Sequence, residues 1–465
     1  MFDLNRYTIQ KLKIIVFHIL IGVIIGFLKD FAQFYLLAII VFFTAAIANS
    51  KDKNYFVLAG AAYIASAEIF LRMTEAMPFW EMGKYMVIYF VGLGILYRGF
   101  KLEAWPILIY VLLLIPGIYV TYLNFDFLEE SFRKTILFNL SGPLSLFATA
   151  LFAFQLKFDF KKMMNLVDIM IYPIIAMTVY ILIYAPPLEE IRFTTESNQY
   201  VSGGYSGNQV ATVLGLGMFL CYVRFLIPHK NILLQLINLL FLTLFSYRAL
   251  LTFSRGGVIT AIILMFIFTF YFINWAPVIS KAKASLKLLS LGFGAVVLWG
   301  ITASVTGGLI VNRYLGQRAD GVQKDITTGR IDILQEELLG FQENPFMGLG
   351  IGMGKFFRED LTGRSIASHN EVSRMIAEHG LFGILALLIL LLVPLALILK
   401  RKRNLFLVPF IAFWFLTINH SAMRVALPGF LYSLGLLQIT YQRKKKVKKS
   451  VKKHPLHREQ AFDPS

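Results

Sequence analysis

The sequence has 465 residues, 57% of them hydrophobic and 15% charged, with a formal net charge of +18 and a mean hydropathy of +0.67. A water-soluble domain of this size has no interior large enough for so much apolar surface, so the composition excludes one and indicates a polytopic membrane protein. The single cysteine, Cys221, excludes an intramolecular disulfide framework.

A bilayer core of ~30 Å needs ~20 apolar residues per helix, and about fourteen such runs are legible. They fall near 13–28, 31–48, 55–71, 85–97, 104–123, 135–156, 166–185, 208–227, 232–252, 256–274, 288–303, 376–399, 405–420 and 425–441. The expected fold is therefore an all-α polytopic membrane bundle of about 12–14 transmembrane helices. The first run has the charged start and apolar middle of a secretion signal. It lacks a small-residue cleavage site and leads at once into a second apolar run, so it reads as a retained span. Starting inside and alternating, the basic clusters "KFDFKK", "KAKASLK", "KRKR" and "RKKKVKKSVKK" all fall on the cytoplasmic side. The positive charge is thus mainly a topology signal; the tail can touch anionic lipid, and no nucleic-acid partner is expected.

Arg255 lies between two apolar runs in "FSYRALLTFSRGGVITAII", with Arg248 two helical turns before it. The alternation puts Arg255 at the outer end of a helical hairpin, where a charge costs much less than at the bilayer centre. Gly256 and Gly257 beside it allow a tight turn and close approach.

Residues 304–375 form the one long polar segment, external by the charge pattern. In "TTGRIDILQEELLGFQENP" two threonines precede a helix that spaces Ile331, Leu334, Leu338 and Phe341 on one face and stops at Pro345. Arg330 falls in its first turn, where a cation opposes the helix dipole and an anionic partner is called for, either a ligand or a nearby carboxylate. "GLGIGMG" has no preceding strand and no following Gly-Lys-Ser/Thr, so it reads as a flexible turn and not as a nucleotide loop. In "SHNEVSRMIAEHGLFG", Ser368 and Glu371 have capping-box spacing, which makes Ser368 the expected N-cap and His369 the first helical residue. The helix dipole there favours a neutral imidazole. His379, His420 and Arg424 also fall at or near outer span ends. No His, Asp or Glu cluster with metal spacing stands out on that side, so no metal or cofactor is expected.

Taken in order, "GGYSGNQVATVLGLG", "TFSRGG", "TTGRIDI", "NPFMGLGIGMG", "SHNEV" and "AEHGLFG" resemble the O-antigen ligase and polymerase family of bacterial envelope glycosyltransferases, over roughly residues 200 to 400. The resemblance implies a GT-C-type membrane enzyme, metal-independent, with its active site at the outer, periplasmic face of the inner membrane. It implies a donor glycan on undecaprenyl diphosphate and, as acceptor, lipid A-core for a ligase or another lipid-linked unit for a polymerase. It marks Arg255, Arg330 and His369 as the catalytic set, with Asn370, Gly207 and Asn208 lining the site. Arg248, His420 and Arg424 complete the candidate substrate-binding residues. The tryptophan that the family often carries just after the loop arginine is absent from "GRIDILQ".

Three regions follow: N-terminal membrane helices 1–200, a ligase-like membrane core 201–442 containing the external loop 304–375, and a basic cytoplasmic tail 443–465. A transporter or flippase of lipid-linked sugars is the competing class. It would show ionisable residues near the midplane and paired repeats; Glu68 and Arg224 lie within or near spans, with no repeat around them. The charge asymmetry predicts that a reporter fused at residue 340 reads external and one fused at residue 402 reads cytoplasmic. A cytoplasmic reading at 340 would overturn this topology.

Overall fold

The computed structural model describes residues 6–125, 131–227, 231–275, 278–323, 329–363, 365–400 and 404–441. The basic tail, most of "KRKR", and the two threonines before the loop helix lie outside the described residues. Each apolar run forms a helix, since a backbone in lipid must satisfy its polar groups internally. In chain order these are α1 (Arg6–Phe27), α2 (Phe31–Ser50), α3 (Phe56–Met73), α4 (Met82–Arg98), α5 (Trp105–Leu112), α6 (Ile115–Asn124), α7 (Phe132–Ala153) and α8 (Phe160–Tyr184). They continue as α9 (Gly207–Leu226), α10 (Ile232–Leu251), α11 (Arg255–Trp275) and α12 (Val278–Val305). The polar segment holds α13 (Leu309–Leu315), α14 (Arg330–Glu343) and α15 (Gly354–Thr362), before α16 (Glu371–Leu399), α17 (Leu407–Ser421) and α18 (Leu427–Gly435).

Eleven segments are long and apolar enough to cross a bilayer, with α5 and α6 counting as one (Leu102–Asn124). Helices α4, α17 and α18 are shorter, at 17, 15 and 9 residues, and complete the expected series of apolar runs. The protein is a polytopic all-helical membrane bundle. At one end, β1 (Lys157–Asp159) pairs in parallel with β2 (Gln438–Thr440), and Asp52 forms an ion pair with Arg98 at 3.1 Å. At the other end the 252–254 turn, the long polar segment and the 422–426 turn meet.

Helix α9 is buried along nearly its whole length, and small residues bring its neighbour close. A Cβ on Gly257 of α11 would strike the Ala211 backbone, and one on Gly215 would strike Gly257. Such small-residue contacts are how membrane helices approach without a hydrophobic driving force. They fix the start of α11, and with it Arg255.

Several charges inside the bundle are paired, as the cost of an isolated buried ion requires, whereas the buried Lys84 ammonium has no hydrogen-bond partner among the described residues. Asp168 sits between Lys11 at 2.6 Å and Arg224 at 2.8 Å. Glu68 pairs with Arg72 on the same helix. Arg374 lies between Glu371 and Glu378, all three nearly excluded from solvent. The two ionisable residues that raised the transporter reading, Glu68 and Arg224, are thus structural ion pairs.

The polar segment departs from expectation in two places. Helix α14 forms as expected, with Gly329 at its N-cap in a left-handed conformation (φ 76°). Ile331, Leu334 and Leu338 face outward, and α14 docks through its polar side: Glu337 is buried, bonded to Arg358 of α15 at 3.2 Å and to the Ser373 hydroxyl of α16. The "GLGIGMG" stretch is not a flexible turn. It is threaded between helices, with the Leu349 amide donating to Ala377 (2.9 Å), that of Gly350 to Glu378 (3.0 Å) and that of Ile351 to Gly117 (3.3 Å). Gly350, at φ 101°, has no room for a Cβ, which would lie 2.8 Å from the Thr121 nitrogen.

The second correction concerns the start of α16. The N-cap is Asn370, whose Oδ1 accepts from the amides of Val372 (2.9 Å) and Ser373 (3.4 Å). Ser368 instead bonds to the backbone of Asn370. The capping box fails because Glu371 is held by Arg374 and cannot turn back onto Ser368.

Replacing Arg374 by Ala strands two buried carboxylates and should cost roughly 3–5 kcal/mol, seen as a lower unfolding temperature in detergent. The triple replacement Glu371→Gln, Arg374→Met, Glu378→Gln should recover most of it. An unchanged unfolding temperature in Arg374→Ala would contradict the buried-pair account.

Candidate active site

The hairpin between α10 and α11 is built to hold an arginine. Phe253 takes a positive φ of 57°, an unfavourable conformation for a bulky residue that persists only where its surroundings fix it. Here Phe193 stacks on its ring, and its carbonyl accepts from Nε of Arg313 at 2.9 Å. The Thr252 carbonyl accepts from the Asn198 amide at 3.2 Å, and the Ser254 hydroxyl donates to Asn208 Oδ1 at 2.7 Å. Arg255 follows as the first residue of α11 and donates to the Arg313 carbonyl at 3.3 Å.

Arg255, Arg313 and Arg330 form one electrostatic group. Burial lowers the titration of Arg313 first, Arg255 lowers it further, and Glu196 opposes both. Burial and then Arg255 likewise lower Arg330. Guanidinium groups remain charged through such shifts, so the group holds repulsion that a multivalent anion would relieve.

His369 sits on the extended stretch that leads into α16. Its carbonyl accepts from the Ala422 amide at 3.1 Å, and the Ser368 carbonyl before it accepts from Arg424 at 2.6 Å. Its imidazole is depressed from the ordinary histidine value to about 4, first by burial and then by Arg424, Arg330 and Arg358. The neutral form expected from sequence is therefore favoured, through burial and three guanidinium groups, with the helix beginning two residues later.

Arg330 and His369 line a cavity of about 420 Å³ together with Asn208, Arg358 and the carboxylates Asp332 and Glu336. They also line an adjoining space of about 220 Å³ that Asn370 and Asn419 complete. Gly207, the first residue of α9, stands beside Asn208, and a Cβ on it would collide with the Ser197 hydroxyl.

The remaining candidates divide. His420 lies behind Arg255: its ring packs where a Cβ on Gly256 would be, Nδ1–H donates to the Leu416 carbonyl at 2.9 Å, and Nε2 faces the Thr212 hydroxyl at 3.4 Å. Arg424 borders a separate cavity of about 490 Å³ on the other side of the 366–370 strand. Arg248 is buried on the carbonyls of Ile181 (3.3 Å) and Val201 (3.4 Å) and lines neither cavity. His379 is buried beside Gly117, also away from the cavities. Sequence reasoning missed Arg313, Arg358 and Asn419. Arg313 and Arg358 sit in mixed polar stretches with no motif, and Asn419 shows only as the neighbour of His420.

Residues 239–388 match the family described as O-antigen ligase. This segment, about a third of the chain, is similar to the O-antigen ligase family. The matched segment runs from α10 to α16 and contains Arg255, Arg330 and His369, while Asn208 and Asn419 join the cavities from outside it. That family is one of glycan-transferring membrane proteins, and this chain has the many membrane-crossing helices of a polytopic protein. No curated protein matches the chain.

The titration of His369 gives a direct check. A depressed histidine contributes stability that is present above its ordinary value near 6.5 and lost as pH falls through about 4. Histidine NMR of the detergent-solubilised protein should show His369 neutral down to about pH 4. Arg330→Gln should move the midpoint upward. A midpoint near 6.5 in the unmodified chain would contradict the buried, cation-flanked placement.

Proposed function

We propose that this chain is a membrane glycosyltransferase of the ligase type, moving a glycan from undecaprenyl diphosphate to a hydroxyl of lipid A-core at the outer, periplasmic face of the bacterial inner membrane. The observation that carries the reading is that Arg330 and His369 face one cavity, with Arg255 close enough to Arg330 to depress it electrostatically.

The chemistry follows from charge. The acceptor oxygen attacks the anomeric carbon, the bond from that carbon to the phosphate oxygen breaks, and the carrier diphosphate leaves with the electron pair. Negative charge grows on the leaving oxygen, and guanidinium groups in a partly dehydrated site stabilise it while supplying planar, paired donors. The proton of the acceptor hydroxyl passes to the imidazole of His369.

A histidine titrating near 4 is a weak base in the empty site. The diphosphate corrects this, since its negative charge offsets the nearby arginines and raises the imidazole toward its ordinary range. Base strength is thus coupled to donor binding. Polymerisation would use the same step with a second lipid-linked unit as acceptor. A transporter or flippase is less well supported, because Glu68 and Arg224, the charges that raised that reading, are held in ion pairs.

Arg255→Ala and Arg330→Ala should each abolish transfer in a protein that still inserts, and Arg→Lys should restore only part because the planar fork is lost. His369→Ala should lose turnover by the ~10²–10⁴-fold of general base catalysis while keeping donor binding. Transfer by purified enzyme with donor binding assayed separately reads all three. Full activity in a well-expressed Arg255→Ala variant, or donor binding lost in His369→Ala, would overturn these roles.

A further inference from the structure

The cavity of about 490 Å³ beyond the 366–370 strand takes no part in the chemistry above, yet its lining is that of a binding site. Its size lies within the ~300–1,000 Å³ range of small-molecule pockets. Five cations line it, Lys134, Lys355, Arg358, Arg374 and Arg424, against the carboxylates Glu371 and Glu378. The carboxylates form a buried floor already clamped by Arg374. Lys134 at the start of α7 is exposed, and Lys355 in α15 is half-buried, so among the described lining residues the cations outside the Arg374 clamp include two toward the mouth.

Two aromatic rings accompany the cations. Arg424 lies 6.0 Å from the centre of the Phe138 ring and Lys355 Nζ 4.6 Å from that of Phe356. A positive mouth attracts anions, an aromatic ring offers an apolar face to a pyranose, and a carboxylate floor accepts hydrogen bonds from sugar hydroxyls. The wall between this cavity and the His369 cavity is thin. Ser368 lines one side and His369 the other, and Arg358 borders both.

We propose that this second cavity binds a phosphate-bearing saccharide, holding its phosphate on Lys134 and Lys355 and its hydroxyls over Glu371 and Glu378. Its assignment to the acceptor rests on the transferase reading: the donor occupies the arginine cavity, and a saccharide anchored next door presents a hydroxyl to His369. Arg424, through its bond to Ser368, is the strut between the two.

The test uses the full-length chain in nanodiscs of zwitterionic lipid. Saturation-transfer NMR compares glucose 6-phosphate, glucose and inorganic phosphate as probes. Glucose 6-phosphate should bind at least tenfold more tightly than either other probe. Binding should be lost in the Lys134→Ala, Lys355→Ala double variant, whose side chains are peripheral enough to leave folding intact, and kept in Arg330→Ala. Equal binding of glucose or of inorganic phosphate, no binding of glucose 6-phosphate, or its loss in Arg330→Ala with retention in the lysine variant would overturn the proposal.

Competition then identifies the natural source. Displacement by phosphorylated core oligosaccharide indicates a ligase acceptor, displacement by a carrier-linked saccharide a polymerase acceptor, and displacement by neither removes the acceptor assignment. Binding of undecaprenyl diphosphate in the same samples should need Arg330 and not the lysines. A failure of that measurement sinks the transferase reading while the glucose 6-phosphate result still judges the cavity.

Discussion

One chain of hydrogen bonds holds the His369 end of the bundle together. Glu68 accepts from the Ala426 amide at 2.7 Å and pairs with Arg72; Arg72 donates to the Arg424 carbonyl at 3.0 Å; the Arg424 guanidinium donates to the Ser368 carbonyl at 2.6 Å. The next residue is His369. Every member is charged or is a backbone group that must be satisfied, and the surroundings are apolar, so breaking any link leaves an orphan whose burial is costly. The position of the imidazole is therefore set partly from α3, in the part of the chain with no motif resemblance.

The same economy of charge separates the arginines held by carboxylates from those assigned to the ligand in the proposed function. Arg72, Arg224, Arg358 and Arg374 each meet a carboxylate. Arg255 depresses both Arg313 and Arg330 electrostatically, and Glu196 opposes the shift at Arg313. A folded protein keeps such repulsion where function needs it, and a diphosphate is the kind of anion that removes it. Arg358 shows that the division is not strict: paired to Glu337, it still borders both cavities.

Much of the fold was legible because a bilayer imposes a length on every apolar run, and all the expected runs formed helices. The hairpin arginine was also legible, since a charge flanked by such runs stands out. What sequence could not resolve was competition among equivalent partners. Ser368 and Asn370 are both good N-caps, and the choice fell to Asn370 because Arg374 occupied Glu371. The glycines of "GLGIGMG" permit flexibility and also permit close threading; contact with α6 and α16 selected the second. Arg248 and His379 share residue type and approximate depth with the site residues, and their burial on carbonyls and beside Gly117 is a tertiary fact. Arg313 had no motif, and only the fold brings its Nε to the Phe253 carbonyl.

The central claim is that the arginine group and His369 serve opposite sides of one bond. An electron cryomicroscopy structure of the chain in nanodiscs with a non-transferable phosphonate analogue of an undecaprenyl-diphosphate glycan tests it most directly. The account predicts both phosphorus atoms within hydrogen-bond reach of Arg255 and Arg330, and the anomeric carbon on the side of the cavity that His369 lines. A diphosphate seated on Lys134 and Lys355 instead, with the arginine cavity empty, would contradict it.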